Sequence, residues 1–162
     1  MLVALRAEVE LVNADGNRRR LHFEEFLVPP SGDIRRENQI KPHEVLTGVH
    51  LPRPGADVRT AYLRLGEKTA FDWPLADVAA TLERSPGGHC RRAIVVLGAA
   101  APAAYRALSA EKSLAGRKIN EEAANAAARA GIEDATPLSG NAYKLPPFET
   151  LIRRVILAAA GQ

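Results

Sequence analysis

The chain has 162 residues, of which 46% are hydrophobic and 25% are charged, and its formal net charge is +3. This composition is typical of a soluble globular protein and excludes a disordered chain. The basic excess lies in the second half, where Lys and Arg are scattered among Ala and Leu. This pattern favours a solvated surface with some protein contacts over a nucleic-acid interface.

The cysteine and histidine content gives no metal site. A single cysteine, Cys90, excludes an intramolecular disulfide and cannot by itself ligate an iron–sulfur cluster or structural zinc. Its neighbours Arg91 and Arg92 favour a lowered thiol pKa, whereas its place in a strand favours a packing role. The four histidines lack metal-ligand spacing, and we expect them at the surface.

No apolar run reaches the roughly 18 to 20 residues that a membrane span requires. The first residues also lack the basic-then-apolar pattern of a signal peptide. We therefore expect a cytoplasmic protein without a membrane span.

The first third of the chain predicts fragments of a sheet. Apolar and charged residues alternate over 4–12, which is typical of a half-buried strand. The Asn, Asp and Gly residues that follow favour a tight hairpin turn. In chain order, we predict a strand at 4–12, a turn at 13–17, a strand at 18–23, a helical turn at 24–27, a loop at 28–43 and a strand at 45–51.

After a candidate domain boundary at 53–57, the pattern changes to three strands followed by helices. The predicted strands are 58–65, 75–82 and 90–97, and the predicted helices are 103–114, 121–130 and 148–160. Asn120 is a candidate N-cap, and Gly116 and Gly131 are candidate helix ends. The sequence thus predicts an α+β fold in which a three-stranded antiparallel sheet packs with about three helices.

Several short motifs carry a family resemblance through their order and spacing over nearly the whole chain. They are EVL at 44–46, VHLP at 49–52, YLRLG at 62–66, AFDW at 70–73, LG at 97–98, AP at 101–102, LAG at 114–116, PLS at 137–139 and NAYK at 141–144. Together they resemble the medium, FAD-carrying subunit of the molybdenum hydroxylases, the group of xanthine dehydrogenase and aerobic carbon monoxide dehydrogenase.

The resemblance implies two units. Residues 1–53 are similar to the last section of an FAD-binding domain, and residues 57–162 are similar to the carbon monoxide dehydrogenase flavoprotein C-terminal domain. In that family the matching stretch lies in the second half of the subunit. We therefore expect the front half to come from a separate chain or to have been lost by truncation.

The resemblance also implies four positions that contact FAD, namely Leu46, Arg64, Asp72 and Trp73. Leu46 would pack on the cofactor, Arg64 would place a positive charge near it, and Asp72 and Trp73 would lie beside the isoalloxazine ring. Each residue type also has an ordinary structural role. Leu46 in an alternating strand suits the core, Arg64 suits a solvated or ion-paired surface, and Trp73 suits a core plug.

Family members hold FAD mainly through glycine-rich loops whose backbone N–H groups cradle the pyrophosphate. The sequence contains no such pair of loops, and Gly87-Gly88 fits a hairpin turn. We therefore expect FAD to be shared with a missing N-terminal part and the chain to be inactive alone.

The implied function is electron transfer within a larger oxidoreductase. Partners would be a small subunit with two-iron two-sulfur clusters and a large subunit with molybdopterin, and FAD would pass electrons to an acceptor. The alternative is a non-catalytic interaction module that does not bind FAD alone.

Overall fold

The structure, a computed structural model, describes residues 1–68 and 72–162. The described elements are β1 Glu8–Asn13, β2 Arg18–His22, α1 Phe23–Phe26, β3 Glu44–His50, β4 Val58–Leu65, β5 Ala76–Arg84, β6 Cys90–Gly98, β7 Tyr105–Arg106, α2 Leu108–Leu114, α3 Glu121–Ile132, a 3-10 helix Ala142–Lys144 and α4 Leu145–Ala160. None of the helices in these ranges is long and apolar enough to cross a membrane.

The first sheet is antiparallel, with strand order β2-β1-β3. Its hairpin closes as predicted, because Gly16 adopts a φ of 81° and the N–H of Asn13 donates to the carbonyl of Asn17 at 3.1 Å. The central strand begins at Glu8, later than the predicted residue 4, because residues 2–6 form turns that end with Arg6 at a φ of 55°. The buried face of this sheet packs on Phe26 of α1.

The second sheet has the order β4-β5-β6-β7, and all its pairs are antiparallel. One face carries a continuous apolar cluster that is covered by α2, α3 and α4. In α4 the buried positions fall on one side of the helix, as the sequence predicts. The predicted α+β fold is confirmed, and the two-residue strand β7 extends the predicted three-stranded meander by one edge strand.

The opposite face of the second sheet contacts the beginning of the chain. Ala79, Ile94 and Val96 form a buried cluster with Val3 and Ala4, and two partly buried side chains of the first unit pack against it, Phe23 and Leu27. This apolar contact joins the two sheets.

Three predicted helix boundaries differ from the structure, and one of them is the start of α4, which begins at Leu145 rather than at residue 148. Helix α2 begins at Leu108 rather than at residue 103, because Tyr105 and Arg106 pair with β6 instead. Gly131 is not a helix end but lies buried inside α3, where a Cβ atom would come within 3.0 Å of Ile152 Cδ1. The other two predicted caps are confirmed: Asn120 accepts a hydrogen bond from the N–H of Ala123 at 2.9 Å, and Gly116 follows α2 at a φ of 73°.

Candidate functional site

The turn between β4 and β5 brings three of the four predicted site residues together. Arg64 near the end of β4 donates from Nη2 to the backbone carbonyl of Asp72 at 2.6 Å. The side chain of Asp72 in turn accepts a hydrogen bond from the N–H of Lys68 at 3.1 Å. These two bonds tie both sides of the turn to each other. The motif residues Ala70 and Phe71 lie outside the described residues.

Trp73 lies directly after this turn and is 90% exposed. The interpretation of Trp73 as a core plug is therefore wrong. Pro74 follows it, and the N–H of Leu75 then donates to the carbonyl of Leu65 at 2.8 Å, which begins the pairing of β5 with β4. The indole is therefore almost fully exposed to solvent, and it directly follows Asp72, whose backbone carbonyl accepts the hydrogen bond from Arg64.

Asp77 is a further charged residue beside this turn, and it was not among the site residues predicted from the sequence. In the sheet register it lies between Arg64 on β4 and Gly98 on β6. A side chain at Gly98 would collide with the Asp77 carboxylate, so the glycine makes room for it. Burial raises the pKa of Asp77, while the positive charges of the amino terminus at Met1 and of Arg64 act in the opposite direction. The sequence does contain a signal for Asp77, because it is the one acidic residue within the apolar run LADVAA at 75–80.

Tyr62 shares this face of the sheet with Arg64, two positions earlier along β4. Its side chain is partly exposed, and burial together with the negative charge of Asp77 raises its phenol pKa. Tyr62, Arg64 and Asp77 therefore form a polar strip that leads to the turn carrying Trp73.

Leu46 lies apart from the other three predicted residues, on β3 of the first sheet. It is partly buried and packs against the cluster of Val9, Leu11 and Phe26. Part of its side chain therefore packs into the hydrophobic core of the first unit. The apolar side chains of β3 that remain well exposed are Val45 and Val49.

The His and Cys side chains do not form a metal site or another reactive site in the described residues. In residues 1–68 and 72–162, no group of three His, Cys, Asp or Glu side chains is arranged to hold a metal ion. Cys90 is buried, and this burial raises its thiol pKa rather than lowering it. His22, His43 and His89 are exposed, and His50 is partly exposed. Gly87-Gly88 forms a hairpin turn, in which the N–H of Gly88 donates to the carbonyl of Ser85 at 2.9 Å.

The class of this protein follows from its fold and from a sequence match over most of the second unit. Residues 61–159 match the sequence model of the CO dehydrogenase flavoprotein C-terminal domain, and the chain belongs to this family. The resemblance predicted from the short motifs is therefore confirmed.

Particular relatives align over the full chain. The aldehyde oxidoreductase FAD-binding subunit PaoB of Escherichia coli (strain K12) is 27% identical over 165 residues, which cover 100% of this chain and 48% of PaoB. The structure also matches a chain of carbon monoxide dehydrogenase from Hydrogenophaga pseudoflava, in a form that lacks the Mo-pyranopterin moiety of its molybdenum cofactor. The TM-score is 0.85 at 28% identity, over 99% of this chain and 54% of that one.

A chain of quinoline 2-oxidoreductase from Pseudomonas putida 86 matches with a TM-score of 0.83 and 26% identity. The match again covers 99% of this chain and 54% of the other. The present chain therefore spans about half the length of the relatives that it matches. Residues 1–53, which lie before the family match, are included in both structural alignments almost completely.

Proposed function

We propose that this chain is the C-terminal part of the FAD subunit of a molybdopterin-dependent dehydrogenase or hydroxylase of the xanthine dehydrogenase group. The observation that carries the proposal is the exposed Trp73 beside the tied Arg64–Asp72 turn, inside a CO dehydrogenase flavoprotein C-terminal domain. In this proposal, residues 1–53 are the end of the FAD-binding domain and residues 57–162 are the C-terminal domain.

The residues at the turn fit the ring system of FAD. An exposed indole offers a flat apolar surface for stacking, and the neighbouring guanidinium offers a positive charge and hydrogen-bond donors. Asp72 keeps Arg64 in place through its backbone carbonyl, and Leu46 would add an apolar contact from the first sheet.

The described residues fit the pyrophosphate of FAD less well. The sequence has no glycine-rich pair of loops, and the one Gly-Gly pair is used in the hairpin before β6. In this proposal, the phosphate contacts come from an N-terminal part of the FAD-binding domain that these 162 residues do not include, either on a separate chain or on a longer form of this one.

Bound FAD would supply the redox chemistry, accepting electrons from two-iron two-sulfur clusters and delivering them to an acceptor. This chain would position the ring and tune its environment through Trp73 and Arg64. The partners would be an iron–sulfur small subunit and a molybdopterin large subunit in the cytoplasm. The chain would have no oxidoreductase activity alone.

Trp73 offers the direct test in a complex reconstituted with FAD and an upstream fragment. We expect Trp73→Ala to change the visible absorption spectrum and the reduction potential of the bound flavin, because a stacked ring is lost. Trp73→Phe keeps an aromatic face and should change both less. Tyr143→Ala serves as the control, since Tyr143 is also an exposed aromatic residue but lies next to α4. Identical spectra and potentials for Trp73→Ala and the parent rule out stacking.

The alternative is a non-catalytic interaction module, and exposed apolar residues along one edge of the first sheet favour it. Strand β3 is at the edge of that sheet, and Val45, Val49 and the adjacent Leu51 are all exposed. An edge strand with exposed apolar side chains is a template for pairing with another chain. A charge placed there should block docking without touching the β4–β5 turn.

The measurement is co-purification of the chain with an upstream fragment, comparing Val49→Lys with Trp73→Ala. Loss of association with Val49→Lys together with normal association of Trp73→Ala supports docking through β3. If flavin is absent from that complex, the interaction-module interpretation replaces the flavoprotein proposal.

A further inference from the structure

A second concave site lies between the two sheets, at the opposite end of β4 and β5 from the β4–β5 turn. This inter-sheet cleft has a volume of about 180 Å³. Its floor is the face of the second sheet on which Val58, Glu83 and Arg92 lie side by side in the strand register. One wall is the turn at 4–6, and the other is the connection at 52–55. The cleft is therefore separate from the proposed flavin contacts.

Backbone contacts hold both walls of the inter-sheet cleft. The N–H of Arg6 donates to the carbonyl of Val3 at 3.0 Å, and Val3 packs with Ala4 on the floor of the second sheet. On the other side, the N–H of Val58 donates to the carbonyl of Gly55 at 3.1 Å, which closes the connection against the start of β4. The shape of the cleft therefore does not depend on a bound ligand.

The charged groups in the lining of the cleft are mainly positive. They include three guanidinium groups, those of Arg6, Arg53 and Arg92. In the described part of the chain, no carboxylate oxygen lies within 4.0 Å of any of the three. The lining also contains Glu83, whose carboxylate lies 3.4 Å from Nη2 of Arg91. The cleft therefore carries an excess of positive charge.

Two of these guanidinium groups reach the cleft from opposite sides. Because side chains alternate along a strand, Arg92 projects from β6 on the same face as Ile94, and Ile94 packs against Val3. Arg6 belongs to the turn that lies on this face. Arg6, Arg92 and Ile94 also line a neighbouring cleft of about 310 Å³ together. Residues that border the same two clefts lie next to each other, so Arg6 and Arg92 are neighbours.

The neighbouring cleft is less suited to an anion. Its lining contains Glu24 and Glu25 in addition to the arginines. Arg106 in this lining already pairs with Glu24 at 3.3 Å and with Glu111 at 2.8 Å. An anion would meet two carboxylates there, whereas the inter-sheet cleft contains one that has a partner. The inter-sheet cleft is therefore the better anion site.

We propose that the inter-sheet cleft binds a small monocarboxylate with a compact apolar body, such as an aromatic ring. The carboxylate lies between Arg6 and Arg92, because a planar guanidinium matches a carboxylate and forms charge-assisted hydrogen bonds with it. The apolar body lies against Leu5, Pro52 and Val58. A volume of about 180 Å³ accommodates one ring, since apolar cavities of about 150 Å³ bind benzene. The bound anion links the two sheets.

Benzoate and benzamide are matched probes for this proposal. They have nearly the same size and shape, but only benzoate is charged at pH 7. The experiment is a titration of the isotope-labelled 162-residue chain at constant ionic strength, followed by backbone amide NMR shifts. We expect benzoate to shift the signals of residues 4–6, 53–58 and 92–94 and to bind at least about tenfold more tightly than benzamide.

Arg92→Gln gives a second, independent readout. Arg92 is exposed, so the substitution leaves the core intact, and it should lower benzoate affinity by about tenfold while changing benzamide affinity little. Arg129→Gln is the control, because it removes the same charge from an exposed position on α3 outside the cleft. It should leave benzoate affinity unchanged.

Equal affinities of benzoate and benzamide for the parent chain overturn the proposal. Absence of shifts at the cleft up to the solubility of benzoate also overturns it. Both outcomes are measured on the parent chain, so they do not depend on the folding of a variant. Equal losses of benzoate affinity in Arg92→Gln and Arg129→Gln would show a general attraction to a basic surface and would likewise contradict a defined site.

Discussion

At the scale of single residues, the ion pair of Arg19 with Glu44 holds the two outer strands of the first sheet together. Arg19 donates from Nε and Nη2 to the two carboxylate oxygens of Glu44, each at 2.8 Å. The N–H of Lys41 also donates to Glu44 at 2.8 Å. The Arg19 hydrogen bond is the largest cause that lowers the pKa of Glu44 from 4.5 to about 2, and the Lys41 N–H is the second.

This lowered pKa predicts a specific dependence of stability on pH. Between pH 4.5 and about 2 the unfolded chain binds a proton at Glu44 that the folded chain does not, so stability falls as the pH falls through this range. Glu44→Gln should be less stable than the parent at pH 7 and should lose less stability on acidification. Urea unfolding at pH 7, 4 and 3 measures both effects.

Glu133→Gln is the matched control, because Glu133 is an exposed residue at the end of α3. It should follow the parent at every pH. If Glu44→Gln and the parent lose stability in parallel between pH 4.5 and 3, the ion pair does not have the assigned role.

Gly131 is a second residue for which packing against neighbouring helices leads to a stability prediction. It packs where α3 approaches α2 and α4, and a Cβ atom would come within 3.0 Å of Ile152 Cδ1 and 3.3 Å of Ala110 Cβ. Alanine would gain about 1 kcal/mol of helix propensity, but overpacking costs about 1–3 kcal/mol. We expect Gly131→Ala to lower the free energy of unfolding by up to about 2 kcal/mol in urea unfolding.

Gly140→Ala is the control for this substitution, because no atom lies within 4 Å of a Cβ at Gly140. It should be neutral or slightly stabilising. A Gly131→Ala variant as stable as Gly140→Ala would contradict the expected overpacking and show that the Ile152 side chain moves aside without cost.

At the scale of elements, the strands of the second sheet were more predictable from sequence than the helix ends. The predicted strand at 58–65 coincides with β4, and those at 75–82 and 90–97 lie within two residues of β5 and β6 at each end. Alternating side chains and the Ser85–Gly88 turn determine these bounds locally.

The errors occurred where tertiary contacts override local preference. The Ala-rich run after Pro102 favours a helix, yet Tyr105 and Arg106 pair with β6, and Arg106 forms an ion pair with Glu111 at 2.8 Å. Gly131 favours a helix end, yet it lies inside α3 at a point where the close approach of α4 leaves little room for a side chain. The pairing of Tyr105–Arg106 with β6 and the packing of Gly131 against α4 both involve residues that are distant in sequence. Local sequence patterns therefore do not reveal either contact.

The N-cap of α3 provides a prediction at this scale. Asn120 accepts a hydrogen bond from the N–H of Ala123 at 2.9 Å, and α3 packs its small residues into the main core. Asn120→Ala leaves that N–H without its acceptor and should cost about 1 kcal/mol of stability. Thermal unfolding followed by circular dichroism measures the loss. Asn120→Ser, which restores an acceptor, should recover most of it, whereas equal losses for both variants would contradict the capping role.

At the scale of the whole molecule, two sheets meet through a small apolar contact, and the candidate site lies at the edge of the second. The motifs proposed four site residues, and the arrangement of these residues could not be derived from the sequence. The exposure of Trp73, the position of Asp77 beside Arg64 and the burial of Leu46 in the first unit all depend on strand register and packing.

The central claim is that this chain contacts the flavin ring but does not hold the pyrophosphate of FAD. Calorimetric titration of the 162-residue chain with FAD and with riboflavin, which lacks the pyrophosphate, tests it most directly. The account predicts that both ligands bind weakly and with the same affinity, and that Trp73→Ala weakens both equally. One-to-one binding of FAD that is about a hundredfold tighter than that of riboflavin would contradict it, because this chain would then supply the phosphate site itself.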